Sequence, residues 1–199
     1  MASKAFFDAV RRPLFGGRLR QAQVEGMNNI VGYGVEHGYS RFALAYILAT
    51  AHHETGRRMQ PIREGFCRTD MGSRLAVARL VTKGIIRYNY AAQDENGNSF
   101  YGRGLVQITH KDNYVKFERI TGKPLSTVPD LALEWDVALV CLFIGHRDGL
   151  YTGKKLPSDG TGFTKELRAI INGDVRKNGT LVASYARMYF NALESEYAG

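Results

Sequence analysis

The sequence predicts a mainly helical single domain, α+β in detail, with one small β-hairpin lobe. Three observations carry that prediction: helical periodicity over most of the chain, one tyrosine-rich stretch that breaks it, and the lack of any linker or repeat. At 199 residues the chain is long enough to bury a core without disulfide staples.

The elements follow in order. Residues 4–11 predict a short helix stopped by Pro13. In "LRQAQVEGMNNIVGYGVEHG", Val24, Met27, Ile30, Val31 and Val35 fall near one face before a stop at Gly38. Ser40 caps the apolar run "RFALAYILATAHHE", read as a helix over about 41–54 with Gly56 as its stop. Further helices are predicted at about 73–83, 111–121, 131–148, 163–172 and 180–197. Between them, "IIRYNYAAQDENGNSFYGRGLVQIT" is rich in β-formers and holds Asn96-Gly97, a hairpin turn signal.

Composition narrows the classes. With 27 basic and 19 acidic residues the formal charge is +8, which favours a polyanionic partner, although the charges are dispersed in pairs such as Arg11-Arg12 and Arg57-Arg58. No zinc-finger, RNP-like or basic-helix signature supports nucleic acid. No apolar run approaches the roughly 18 residues of a membrane span, and the N-terminal apolar stretch is too short for a signal sequence. Cys67 and Cys141 are too few for a disulfide framework; Cys141, inside "VALVCLFIG", reads as a buried free thiol, while pairing stays open. No heptad or exposed strand argues against a monomer.

The apolar helix ends in an unexpected group, "HHET". A zinc motif of the H-E-x-x-H type needs two histidines one helical turn apart, and here Arg57 stands where the second ligand would be, so no metal or cofactor is expected and His52 and His53 read as core or supporting groups. Glu54 is the candidate proton donor. A carboxyl at a helix C-terminus faces the negative end of the macrodipole beside apolar side chains, and both favour the protonated form; Arg57 and Arg58 would cancel this if they turned inward. A second carboxylate is offered by Glu64 in "PIREGF", with Asp70 as its rival. The aromatic residues Tyr88, Tyr90, Phe100 and Tyr101 offer either sugar-stacking faces or packing.

These residues sit in a longer pattern. "FYGRGLVQITHKDNY" (100–114) resembles the signature of the family 19 glycoside hydrolases, the plant-type chitinases and the phage endolysins grouped with them. "AYILATAHHET", "MQPIREGF", "GLYTGKKL", "AIINGD" and "ASYARMYFNALE" are similar to further landmarks of that family, in the same order along nearly the whole chain. The resemblance implies a lysozyme-like fold carrying one catalytic domain over 1–199, with Glu54 as general acid, Glu64 as base and Thr109 holding the attacking water. It also implies sugar subsites formed by Gln107, Asn113, Asn172 and Arg187, the last readable equally as a structural ion pair, and Tyr101 joins them as the stacking candidate. Leu105 and Lys111-Asp112 depart from the plant pattern, and the segment carrying Glu64 is shorter than in plant chitinases. The expectation is therefore an endolysin that hydrolyses β-1,4 bonds of peptidoglycan by acid/base catalysis. It would be made in the host cytoplasm and act once the membrane is opened, with an anionic wall or outer-membrane surface as a further partner. A chitinase and a non-catalytic wall-binding module are the alternatives.

Overall fold

The computed structural model describes residues 1–197. Seven helices and a two-stranded sheet divide into two compact units, residues 1–60 with 142–199, and residues 61–141. The chain is mostly helical, as the sequence predicts.

The first unit is built around α3, Arg41–Glu54. Ser40 Oγ accepts from the Ala43 N–H at 3.1 Å, which fixes where the helix starts. Every side chain from Phe42 to His52 is buried, so α3 is apolar all round because helices cover it all round. α1 (Lys4–Phe15), α2 (Gln21–Glu36) and α7 (Thr180–Ala192) supply that cover, α7 laying Val182, Ala183, Ala186 and Tyr189 inward at helical spacing. Close approach is enforced at Gly34 of α2, where a Cβ would sit 2.6 Å from Leu44 Cδ1. At Gly26 it would fall 1.7 Å from the Met59 carbonyl oxygen. At its end α3 stops one residue before Thr55, whose hydroxyl donates to Ala51 O and accepts from the Met59 N–H, folding the chain back.

Two sequence expectations shift here. α1 does not stop at Pro13 but continues to Phe15, because Leu14 is buried and Gly16, at φ 69°, closes the last turn instead. The segment expected as a helix over 163–172 is a 3-10 turn, Lys165–Ile170, followed by a π turn, Val175–Gly179.

The second unit holds α4 (Asp70–Thr82), α5 (Lys111–Thr121) and a small sheet. α6, Trp135–Asp148, carries the chain from this unit back to the first. The small β element differs in its strands from the expected hairpin. β1, Ile62–Arg63, pairs antiparallel with β2, Arg103–Gly104, and a single bridge joins Arg103 to Ile108. Asn96-Gly97 does form a turn, but Asp94 Oδ1 takes the N–H groups of both Asn96 and Asn98, so the turn closes a loop rather than a ladder. Cys67 and Cys141 are not joined by a disulfide; Cys141 is buried, and burial pushes its thiol pKa up.

Candidate functional site

The candidate residues fall into two groups, one in each unit. In the first, the last residue of α3 meets an arginine from the 3-10 turn. Arg168 Nη1 donates to Glu54 Oε1 at 2.6 Å, and its Nε and Nη2 donate to Asp174 Oδ1 and Oδ2 at 2.6 and 3.2 Å. The Arg168 side chain is 2% exposed and that of Glu54 15%. Asn178 Nδ2 donates to Asp174 as well. Burial works to raise the Asp174 pKa, but Arg168 and Asn178 outweigh it and hold the carboxyl below its ordinary value. The surroundings expected for Glu54 are thus corrected: the guanidinium it faces at 2.6 Å is the buried one of Arg168. The apolar helix supplies rigidity, while the ion network supplies orientation.

Around this group the aromatic and imidazole side chains are uncharged. His53 is pushed below its ordinary pKa by burial, with Glu54 acting against that. His52 is buried in the core, its Nδ1 2.9 Å from the Tyr189 hydroxyl and its ring against Phe15, and burial takes its pKa down to about 3. The Tyr46 hydroxyl is buried with no hydrogen-bond partner among the described residues, and burial pushes its pKa far up.

The second group is centred on Glu64, half-buried at the end of β1. Its Oε2 accepts from the Gly102 N–H at 2.8 Å and its Oε1 from the Tyr90 hydroxyl. The backbone repeats the connection, since Glu64 N–H donates to Gly102 O at 2.7 Å. Burial and then the Glu64 carboxylate raise the Tyr90 pKa, so the phenol keeps its proton and acts as a donor. Gly102 lies close under this group, since a Cβ there would fall 2.9 Å from Gln107 Oε1 and 3.3 Å from Thr109 Oγ1 and would force the Gln107 amide to shift. Glu64, Gly102, Gln107 and Thr109 are therefore brought together. Thr109 spends its hydroxyl proton on Gln107 O at 2.9 Å, which leaves its lone pairs for a donor such as water.

The remaining candidates have other partners. Gln107, at φ 57°, donates from Nε2 to Ile62 O and Gly104 O, bracing β1 against β2. Asn113 donates to Thr109 O at 2.7 Å and accepts from Lys116. Asn172 is exposed, its N–H donating to Arg168 O at 3.0 Å. Arg187 donates to Phe163 O at 2.8 Å and makes no ion pair among the described residues.

Tyr101 is a correction. Its side chain is wholly buried with Val77 and Ala91, under the Arg103 guanidinium 3.7 Å from its ring centre, so it has no face to offer a sugar. Asp70 is taken up by Arg74 and Arg103 at 2.7 and 3.4 Å.

Sequence reasoning passed over Arg168, Asp174, Asn178 and Gly102, and it read Tyr90 as a stacking or packing ring where the structure makes it a donor to Glu64. One signal was there for Arg168: a lone cation in the apolar stretch Leu167–Ile171 marks a charge that must be paired when buried.

No protein-family model matches the sequence, and no curated protein matches it. Solved structures do. A chitinase C carrying a Glu-to-Gln substitution superposes with a TM-score of 0.59 at 17% identity, covering 96% of this chain and 92% of its own. The fold is that of the family 19 chitinases. A bacterial family 19 chitinase gives a TM-score of 0.55 at 21% identity, over 96% of this chain and 94% of that one. Chitinase C from Streptomyces griseus HUT6037 gives 0.57 at 18% identity, over 96% and 92%.

Proposed function

We propose that the chain is a glycoside hydrolase acting on β-1,4-linked glycans of N-acetylated sugars, and that its substrate is bacterial peptidoglycan. The observation that carries this reading is the clamp on Glu64, a carboxylate held from both oxygens next to a threonine hydroxyl with free lone pairs. That is the equipment of a general base that activates a water. Glu54 serves as the general acid, protonating the leaving oxygen, and Arg168 is the group that positions it. The fold shared with family 19 chitinases supports the reaction class. Inversion at the anomeric carbon follows from a base that uses water rather than attacking the sugar itself.

The peptidoglycan assignment rests on the endolysin-like sequence landmarks, and with it goes a role in host lysis. The protein would accumulate in the host cytoplasm and reach the wall after the membrane is opened. No helix of the described residues is long and apolar enough to cross a membrane. The chitinase names of the structural neighbours favour chitin as a second reading.

Digestion of purified peptidoglycan, with mass spectrometry before and after borohydride reduction, tests the proposal. New reducing ends from the wild type, absent with Glu54→Gln and with Glu64→Gln, support it, and the reduced sugar names the bond. Anhydro ends, or intact walls retaining bound protein, overturn it, whereas cleavage of chitin oligomers alone moves the substrate to chitin.

A further inference from the structure

Four arginines outside both carboxylate groups line one pocket of the first unit. Arg18, Arg20, Arg57 and Arg58 enclose about 330 Å3 together with Phe15, Gln23 and Gly56. Two turns bring them together, the connection between α1 and α2 and the reversal after α3. Gln23 ties these turns: its Oε1 accepts from the Arg20 N–H at 2.9 Å, and its Nε2 donates to Arg57 O at 2.8 Å. The pocket is therefore built, and no carboxylate lines it. Among the described residues, Arg18, Arg20 and Arg57 make no ion pair. Three exposed arginines that make no ion pair, set around one pocket, offer donors to a phosphate, and the first turn of α2 adds no acid to oppose it.

Arg18 also lines a second, adjoining groove of about 520 Å3 with Phe7, Leu19 and Val24 on its walls. Lys4 and Arg11 border that groove, but both are engaged by Asp8, at 2.6 and 3.1 Å, so its free character is more apolar than basic. A cationic pocket and a largely apolar groove that share Arg18 as a lining residue match a ligand with a phosphate at one end and hydrocarbon at the other. A soluble phosphate or a sugar–phosphate polymer has nothing to place along Phe7, Leu19 and Val24.

We propose that this surface docks the headgroup of an anionic membrane lipid, with the phosphate among Arg18, Arg20 and Arg57 and the first methylenes of an acyl chain in the groove. The proposal is independent of the glycosidase reading. It gives the +8 chain a defined point of contact with a phosphate-bearing membrane face.

Full-length protein is titrated at physiological ionic strength with vesicles of phosphatidylcholine, alone and with a third of phosphatidylglycerol. The variant Arg18→Gln/Arg20→Gln/Arg57→Gln is compared with Lys154→Gln/Lys155→Gln/Lys177→Gln, which removes the same charge from exposed sites outside the pocket. The pocket variant is expected to lose about 100-fold in binding to the anionic vesicles, and the control about 5-fold or less. Single Arg18→Gln, expected to lose about 5-fold, carries the test if the triple variant melts early. Leu19→Ser is expected to weaken vesicle binding while leaving binding of pyrophosphate unchanged. Equal losses in the two triple variants overturn the proposal in favour of diffuse charge. Pyrophosphate binding with no preference for anionic vesicles, and no effect of Leu19→Ser, overturns the lipid as its source.

Discussion

Arg168 in the first unit and Arg103 in the second are both all but sealed from water, at 2% and 3% side-chain exposure, and each binds an aspartate through its Nε at 2.6 and 2.7 Å. Beyond that they diverge. Arg168 spends its remaining donors on Asp174 again and on Glu54, so the candidate acid is part of the ion network. Arg103 spends its own on Asp70, Tyr114, Ser99 O and Tyr101 O, and none reaches Glu64. Glu64 is held instead by two uncharged donors, a phenol and a backbone N–H. The same device therefore serves two ends. One arginine holds the candidate acid itself, and the other ties together the segments on which the second carboxylate stands.

The largest test breaks each network in turn. Arg168→Met leaves Asp174 and Glu54 buried without their counter-charge, which costs about 3–5 kcal/mol and lowers the melting temperature by roughly 10 °C. Arg103→Met is expected to cost less, about 1–3 kcal/mol, since the half-exposed Asp130 keeps Arg63 and only the Tyr114 hydroxyl loses a partner. Activity separates the two. In protein still folded at low temperature, Arg168→Lys is expected to cut turnover by about 100-fold or more, because an ammonium cannot span Glu54 and Asp174 as a guanidinium does. Arg103→Lys is expected to stay within about 10-fold of wild type. Equal losses would remove the distinction between a positioning and a structural arginine.

Acid should weaken the units unequally. The first unit buries His52 and His146, whose pKa values fall to about 3 and about 4, burial being the main cause in both. His146 is fixed between Leu142 O and Thr50 Oγ1 at 2.6 and 3.2 Å. The second unit contains one histidine, His110, and it is exposed. Unfolded histidine takes up its proton near pH 6.5, so between about 6.5 and 4 the unfolded chain binds protons that the folded unit refuses. Stability of the first unit thus falls as pH falls through that window, by at most about 3 kcal/mol for each histidine. The Arg168–Asp174 pair holds until lower pH, because its contribution is lost only below the ordinary aspartate value. Hydrogen exchange measured from pH 7 to 4 should show amides of α3 and α7 losing protection before those of α4 and α5, and His146→Gln should narrow the gap.

The comparison also shows what a sequence can convey. α3 was legible from end to end because its determinants are local: a serine cap, an apolar run and a glycine just beyond. The candidate residues Glu54, Glu64 and Thr109 were legible as chemistry or as family pattern. Their partners were not, since Glu54 and Arg168 stand 114 residues apart and no periodicity links them. The strand pairing of Ile62–Arg63 with Arg103–Gly104 was hidden for the same reason, while Asn96-Gly97 advertised a local turn that leads nowhere in the sheet. Tyr101 misled in another way. Aromatic content predicts both a stacking face and a core, and only the guanidinium above it decides for the core.

A milder test asks what the neutral clamp on Glu64 contributes. Tyr90→Phe removes one donor and keeps the ring packed against the Val77, Ala91 and Tyr101 cluster. The lost hydrogen bond to a charged acceptor corresponds to about 1–2 kcal/mol, discounted for partial exposure, and so to a fall of about 10-fold in kcat. KM should change little if the clamp positions a base rather than binding sugar, and a rise in KM alone would make Tyr90 a substrate contact.

The smallest effect is expected at Asp70, the carboxylate six residues after Glu64 and the rival for its role. Its side chain is 41% exposed and both its oxygens are occupied, one by Arg74 a helical turn away and one by Arg103. An exposed i,i+4 pair contributes about 0.3–0.5 kcal/mol, and Arg103 keeps Asp130 when Asp70 is neutralised. Asp70→Asn also retains an acceptor oxygen for one guanidinium and leaves the Thr69 cap, which takes the Gly72 N–H at 3.1 Å, untouched. Melting should therefore shift by no more than about 2 °C, with turnover within about 2-fold of wild type. The opposite pattern, intact melting with turnover lost as in Glu64→Gln, would transfer the base to Asp70. It would also make Arg103 a positioning arginine like Arg168, because the carboxylate it holds would then be the reactive one.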